Sequence, residues 1–176
     1  MAALEVRAID EVTIVDPVPA AAERLAGEIE SWENAPAIKL GYDPAAVTGA
    51  DIVMAATTTT TPLFDGNLLK PGTHVTGVGS FTPDMQEIDA NTVRRARVVV
   101  DSREACLAEA GDIIKADANI DAEIGEIVNG TQPGRQSEDE LTFFKSVGVA
   151  AQDAAAAAAV LAGAQAKNLG QIIDLG

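Results

Sequence analysis

ADIVMAATTTTTPLFDGNLLKPGTHVTGVGSFTP, residues 50–83, holds two short apolar runs that each stop at a polar or glycine-rich tip. The first, DIVMAA at 51–56, is too short for a helix and ends in five threonines, Thr57 to Thr61. The second, THVTGV at 73–78, starts after the Lys70-Pro71-Gly72 turn and runs into Gly77-Val78-Gly79-Ser80-Phe81-Thr82-Pro83. Continuous β-branched runs of this length are how strands buried on both faces of a parallel sheet read. In such sheets ligands bind beyond the carboxyl ends of the strands. The threonine hydroxyls therefore stand where a phosphate or ribose would bond, with a solvated polar loop as the plain alternative. The glycines permit close backbone approach to a flat ring, with a tight turn needing positive φ as the plain alternative.

The same alternation extends outward in both directions. Upstream, EVTIVD at 11–16 reads as a strand, Pro17 to Pro19 as a turn, 20–31 as a helix and 37–40 as a short strand. Asp43 followed by Pro44 is a helix start, a capping carboxylate before a proline at the first helical position. Downstream, RVVVD at 97–101 is a third β-branched run, and Ser102 can cap the next helix. Beyond this run the pattern predicts helices at 102–108, 121–128 and 138–145, the last with a Ser137/Glu140 capping box. The acidic run Glu138-Asp139-Glu140 then complements that helix's dipole. A long alanine-rich helix is predicted over 149–167, and 171–175 can close as a strand. Strand–helix alternation with continuous strands predicts an α/β fold, a parallel sheet flanked by helices. No internal repeat is visible, and the best break is the polar loop at 132–138.

Composition sets the boundaries of function. The 176 residues allow one domain with a sizeable core; 47% are hydrophobic but only 3% aromatic, so that core is built from Ala, Val, Ile and Leu. A net charge of −15 repels nucleic acid and anionic membrane, and either serves solubility or reflects a high-salt habitat. No apolar stretch is suited to spanning a membrane. The N-terminus is too short and too charged for a signal peptide. Cys106 is the only cysteine and cannot form an intrachain disulfide, so a cytoplasmic protein is expected.

Chemically, Asp16 stands at the tip of the first strand. There a carboxylate can accept from adenosine ribose hydroxyls and would repel a 2′-phosphate, or it can simply be a turn residue before proline. No G-x-G-x-x-G precedes it, and that loop is what supplies pyrophosphate-binding amides in dinucleotide folds. Nothing resembles a hydrolytic triad or a metal site. His74 and Cys106 read as structural residues.

Five blocks in order, ADIVMAATTTTTP (50–62), LKPGTHVTGVGSFTPDMQEID (69–89), RARVVVDSREACLAEAGDI (95–113), EIGEIVNGTQPGR (123–135) and DELTFFKSVGVAAQDAAAA (139–157), resemble the ornithine cyclodeaminase/μ-crystallin family. The resemblance runs from about Leu4 to the C-terminus. It implies a Rossmann-type NAD(P) domain over 1–145 that lacks its first strand and glycine loop. It further implies that 146–176 is a helix and tail returning toward a substrate and dimerisation domain. It implies homodimers, hydride transfer between nicotinamide and the α-carbon of an amino or imino acid, and NAD in preference to NADP given Asp16. By position, Asp16, Thr57, Val78, Gly79, Ser80 and Ser146 match cofactor contacts, and Phe81 and Val147 match substrate contacts. Cyclodeaminases carry a catalytic aspartate where this chain has Phe81, and a lysine where it has Met85. The chain therefore resembles the branch of alanine dehydrogenases and ketimine or cyclic-imine reductases. A cyclodeaminase and a non-catalytic ligand- or partner-binding remnant are the alternatives. The missing strand would lie between the strands at 11–16 and 51–56. Either those two pair directly, or another chain fills the gap, or the fold is marginal.

Overall fold

The computed structural model describes residues 2–41, 43–171 and 173. In chain order it comprises helix α1 (Ala2–Val6), strand β1 (Glu11–Val15), helix α2 (Pro19–Glu30), strand β2 (Ala37–Gly41), strand β3 (Ile52–Ala55) and strand β4 (His74–Gly77). Then come α3 (Ala90–Arg95), β5 (Arg97–Val100), α4 (Arg103–Glu109), α5 (Gly111–Ala116), β6 (Ala122–Glu123), α6 (Ile124–Val128), β7 (Thr142–Lys145) and α7 (Ala150–Ala166). Every strand pair is parallel.

The strands divide into a two-stranded sheet, β1-β2, and a five-stranded sheet in the order β3-β4-β7-β5-β6. Direct pairing of β1 with β3 does not occur. Among the described residues, the second edge of β1 and the second edge of β3 have no strand beside them.

The larger sheet owes its integrity to β7, which pairs with β4 on one side and β5 on the other. Phe143, Val75, Val98 and Val100 are essentially removed from solvent there, packed with Ile88, Val93, Cys106 and Ile113. Burying such side chains contributes roughly 1.5–3 kcal/mol each, so aliphatic residues gathered around Phe143 hold the sheet and its helices together. A separate, smaller cluster of Ile14, Ala22, Ala26 and Ile29, flanked by Val12, Trp32 and Ile38, joins α2 to the β1-β2 pair.

Most expected elements are present, with shifts of one or two residues. The largest correction concerns 138–145. The predicted helix is instead a loop leading into β7, the central strand of the sheet. Threonine and two phenylalanines at 142–144 favour a strand that finds partners on both sides, and tertiary pairing outweighs the local capping pattern. Glu140 accepts from the Gln136 amide at 2.7 Å instead of capping a helix, and the Glu138-Asp139-Glu140 run complements no helix dipole. A capping box does exist, but at Glu123 and Glu126, where α6 begins. The helix predicted over 121–128 is shortened because Ala122 and Glu123 pair with Val99 and Val100 as β6. Asp43 accepts from the Ala45 amide as expected, but the helix it starts is a single 3-10 turn, Pro44–Val47. Of the suggested closing strand at 171–175, residues 172, 174 and 175 lie outside the described residues, and 171 and 173 are irregular. The 132–138 loop leads within the sheet's own connectivity to its central strand. Among the described residues no helix is long and apolar enough to cross a membrane.

Candidate functional site

Because β3, β4, β7 and β5 are adjacent and parallel, their carboxyl ends deliver Thr57, Val78 to Phe81, Ser146 and Asp101 to one rim of the five-stranded sheet. The backbone continues the register past the strands: Val78 N donates to the Ala55 carbonyl at 3.1 Å, and Ser146 N to the Gly77 carbonyl at 3.2 Å.

Two carboxylates that sequence reasoning passed over organise this rim. Glu87, fully buried, accepts on one oxygen from the Thr57 amide and from the Thr57 hydroxyl (2.8 Å), and on the other from the Gly79 amide (2.6 Å). It thus ties the tip of β3 to the tip of β4. Asp101 accepts on one oxygen from the Ser146 hydroxyl (2.7 Å), the Val147 amide (3.1 Å) and the Gly148 amide (2.8 Å). Its other oxygen accepts from the Ser102 amide at 2.8 Å and the Cys106 thiol at 3.4 Å. Partial burial pushes the Asp101 carboxyl up. The hydrogen bonds from Ser146, Gly148, Ser102 and Cys106 outweigh that and hold it below its ordinary value.

Beneath the rim, Asp112 Oδ1 accepts from the Glu87 and Ile88 amides at 2.8 and 3.0 Å, and Asp112 Oδ2 lies 3.7 Å from Lys145 Nζ. All three charged groups are fully buried. Lys145 sits in register between Gly77 and Val100. Desolvation draws the lysine down from its usual pKa and pushes the Asp112 carboxyl up, each opposed by the attraction of the other. A lysine closing an otherwise apolar strand, TFFK, is the one signal of this cluster in the sequence.

The glycines serve packing. Neither Gly77 nor Gly79 lies among the glycines with positive φ. A methyl group on Gly79 would fall on the Thr57 carbonyl and the Glu87 carboxylate, and one on Gly77 would meet Phe143 at 3.2 Å and Asp112 at 3.5 Å. The tight-turn alternative is thereby excluded, and the requirement for glycine comes from the strand tips and the carboxylates pressed against them.

The remaining sequence candidates fall into distinct settings. Val78 is 42% and Phe81 49% exposed, an apolar shelf beside buried Gly79. Ser80 is fully buried, its hydroxyl donating to the Met85 carbonyl (3.1 Å) and accepting from the Asp112 amide (3.2 Å). Met85 points into the interior. Val147 and Ser146 are half-buried. Asp16 stands apart from the other candidates, at the end of the β1-β2 sheet, where one oxygen accepts from the Val18 amide at 2.7 Å. His74 is held between Thr142 (2.8 Å) and Thr76 (3.1 Å), and burial, aided by Arg135, lowers its pKa. Cys106 is buried and its thiol is pushed up to about 12, first by desolvation and then by Asp101, so it is inert at neutral pH. Among the described residues no group of three or more His, Cys, Asp or Glu is gathered closely enough to hold a metal ion.

Hydroxyl chemistry at the rim is directional. Thr57 and Ser146 each give their only hydroxyl hydrogen to a carboxylate and accept on one lone pair from the Thr59 and Gly148 amides at 3.4 and 3.3 Å, so each meets a ligand as an acceptor with one lone pair left. That suits a ribose hydroxyl and does not suit a phosphate oxygen.

Residues 1–168 match the model of the ornithine cyclodeaminase/mu-crystallin family. A Delta(1)-pyrroline-2-carboxylate reductase of Bacillus cereus is 35% identical over 98% of this chain and 55% of its own length. The ketimine reductase mu-crystallin of Macropus fuliginosus is 45% identical over 64% of this chain and 35% of its own length. Among solved structures, the Thermococcus litoralis Delta(1)-pyrroline-2-carboxylate reductase in complex with NADH and L-proline superposes with a TM-score of 0.91 and 36% identity, covering 98% of this chain and 55% of that one. An archaeal alanine dehydrogenase dimer with bound NAD does so at 0.88 and 28% identity, covering 99% and 56%. The chain spans about a third to just over half the length of these relatives. On the family match and the shared architecture, this chain belongs to the ornithine cyclodeaminase/mu-crystallin family.

Proposed function

We propose that this chain carries the nicotinamide-side half of an NAD-dependent imino-acid reductase, of the ketimine or cyclic-imine type or an alanine dehydrogenase. The observation that carries the reading is the joining of Thr57 and Gly79 through Glu87, which sets an acceptor hydroxyl and an exposed apolar shelf side by side at the carboxyl ends of adjacent parallel strands. A nicotinamide riboside needs such a pair, an acceptor for a ribose hydroxyl and an apolar surface for the ring. Solved relatives with NADH or NAD bound support the same cofactor here.

When bound, the dinucleotide supplies the hydride. The chain's residues orient and exclude. Thr57 and Ser146 accept from ribose hydroxyls, Val78 supports one ring face, and Asp16 accepts from the adenosine ribose and opposes a 2′-phosphate. Phe81 and Val147 are proposed to shape the substrate side. No proton can be delivered by Phe81, and Met85 is buried, which disfavours the cyclodeaminase reading in this loop. The substrate class is a small amino or imino acid, met in the cytoplasm by a homodimer. We propose residues 1–145 as the cofactor-binding portion and 146–176 as the helix and tail that pack on the rest of such an assembly.

NADH titrated to millimolar concentration into the isotopically labelled chain, followed by amide NMR, tests the reading. The expected result is weak binding, with shifts at Thr57, Val78, Gly79 and Ser146, and a weaker response to NADPH. The glycine loop that would hold the pyrophosphate is not among these residues, so affinity short of micromolar is expected. No shift at those four amides would sink the reading.

A further inference from the structure

Glu87 does more than satisfy its neighbours, and the inference rests on the cofactor reading above. We propose that Glu87 is a positioning residue for the dinucleotide: its carboxylate, backed by the buried Asp112–Lys145 pair, fixes the distance and orientation between the two loop tips that hold the nicotinamide riboside. Three observations converge. Both carboxylate oxygens face loop donors, from Thr57 on one side and Gly79 on the other. The backbone on either side of that carboxylate is itself fixed: Leu63 N donates to the Glu87 carbonyl at 2.9 Å, Gln86 N to the Thr59 carbonyl at 3.2 Å, and the Glu87 and Ile88 amides to Asp112. The space for the clamp exists only because residue 79 has no side chain.

A buried carboxylate is costly unless donors and a countercharge surround it. Here the donors are the loop tips themselves, and the Lys145 ammonium lies in the same buried cluster, 3.7 Å from Asp112. The satisfaction of Glu87 is thereby conditional on the loops being in place, whereas Asp112 Oδ2 and Lys145 Nζ have no hydrogen-bond partner among the described residues and face each other as a charge pair. Such held geometry lowers the ordering that binding would otherwise require. Thr57's hydroxyl gives its hydrogen to Glu87 and accepts from the Thr59 amide at 3.4 Å, so what it has left to offer is one lone pair. Glu87 thereby also selects an acceptor character for the ribose contact.

The test uses the whole chain, with amide exchange and NADH titration measured on the same samples of wild type and Glu87→Gln. Glutamine keeps the volume but offers one acceptor oxygen and turns an NH2 group toward an N–H donor. The expected result is about a tenfold or greater rise in exchange at Thr57 and Gly79, with the Val75, Val99 and Phe143 amides unchanged, and NADH-induced shifts reduced at matched concentration. Unchanged exchange at the two loop amides overturns the proposal. So does a uniform rise across the sheet, which would make Glu87 a fold residue only, and so does an unaltered NADH response. If Glu87→Gln does not fold, Thr57→Val, which removes one donor and keeps the carboxylate, must still raise exchange at Thr57 and Gly79 several-fold; if it does not, the proposal fails. Wild-type chain without any NADH response overturns the cofactor reading and the cofactor role of Glu87 with it. Exchange at Thr57 and Gly79 then separately reports whether the clamp holds the loops.

Discussion

The five-stranded sheet and the β1-β2 pair are built from the same strand-helix grammar, yet only one of them is internally braced. The larger sheet has a core that includes Phe143, Val75 and Val100 and two carboxylates, Glu87 and Asp101, that hold its loop tips. Among the described residues the smaller has a cluster of four buried apolar side chains, two of them alanines, and its tip residue Asp16 is bonded to the adjoining turn alone. A two-stranded unit is marginal without further support. The contrast teaches that the rim proposed for the nicotinamide riboside is braced by its own residues, whereas the strand tip proposed for the adenosine ribose has little bracing of its own.

The comparison breaks most sharply under core truncation. Phe143→Ala, in the central strand, is expected to cost about 3–5 kcal/mol in urea unfolding and to collapse the rim with it. Ile14→Ala is expected near the low end for such changes, about 2 kcal/mol, with exchange accelerated only over 11–41. Equal and global losses from both would show that the two regions unfold as one and the distinction is empty.

Asp101→Asn probes the bracing at intermediate size. Removing the charge that gathers Ser146, Val147 and Gly148 is expected to cost about 1–3 kcal/mol and loosen residues 146–148. The pH dependence is set by the sign of the shift. A carboxyl held below its ordinary value contributes stability that is fully present above about pH 4 and is lost as pH falls through its folded value. The gap in urea midpoint between wild type and Asp101→Asn is therefore expected to be constant from neutral pH to about 5 and to close on further acidification. A gap that widens in acid would contradict the assignment.

Asp16→Ala sharpens the comparison at its small end. With a single bond to the Val18 amide, it is expected to cost less than about 1 kcal/mol. Its visible effect is expected in cofactor choice, as a loss of the preference for NADH over NADPH in the NMR titration.

How far the sequence alone was readable tracks these same differences. A strand such as RVVV announces itself because burial on both faces leaves a β-branched run, and HVTG is marked by the turn before it and the glycine that ends it. The positions of Thr57 and Gly79 at strand tips are legible because each directly follows such a run. The sequence around β7 reads as a helix because a capping-box pattern is local, while the pairing of Thr142–Lys145 with β4 and β5 brings together residues about 40–70 positions apart. Glu87 is hidden for a related reason: in MQEID it is one of two carboxylates, and the folded chain shows that it is the one fully buried. The sequence does not show that Gly77 and Gly79 also make room for protein atoms, the Phe143 ring and the Glu87 carboxylate.

The bare flank of β3 has a practical consequence for the purified material. Ile52–Ala55 has no strand on its second edge among the described residues and Met54 is 69% exposed, and an uncharged edge strand of this kind templates strand pairing between molecules. Mutual repulsion from a net charge of −15 opposes that growth. Turbidity or fibril-dye fluorescence should therefore rise with protein concentration and with added sodium chloride, and Met54→Lys should suppress it.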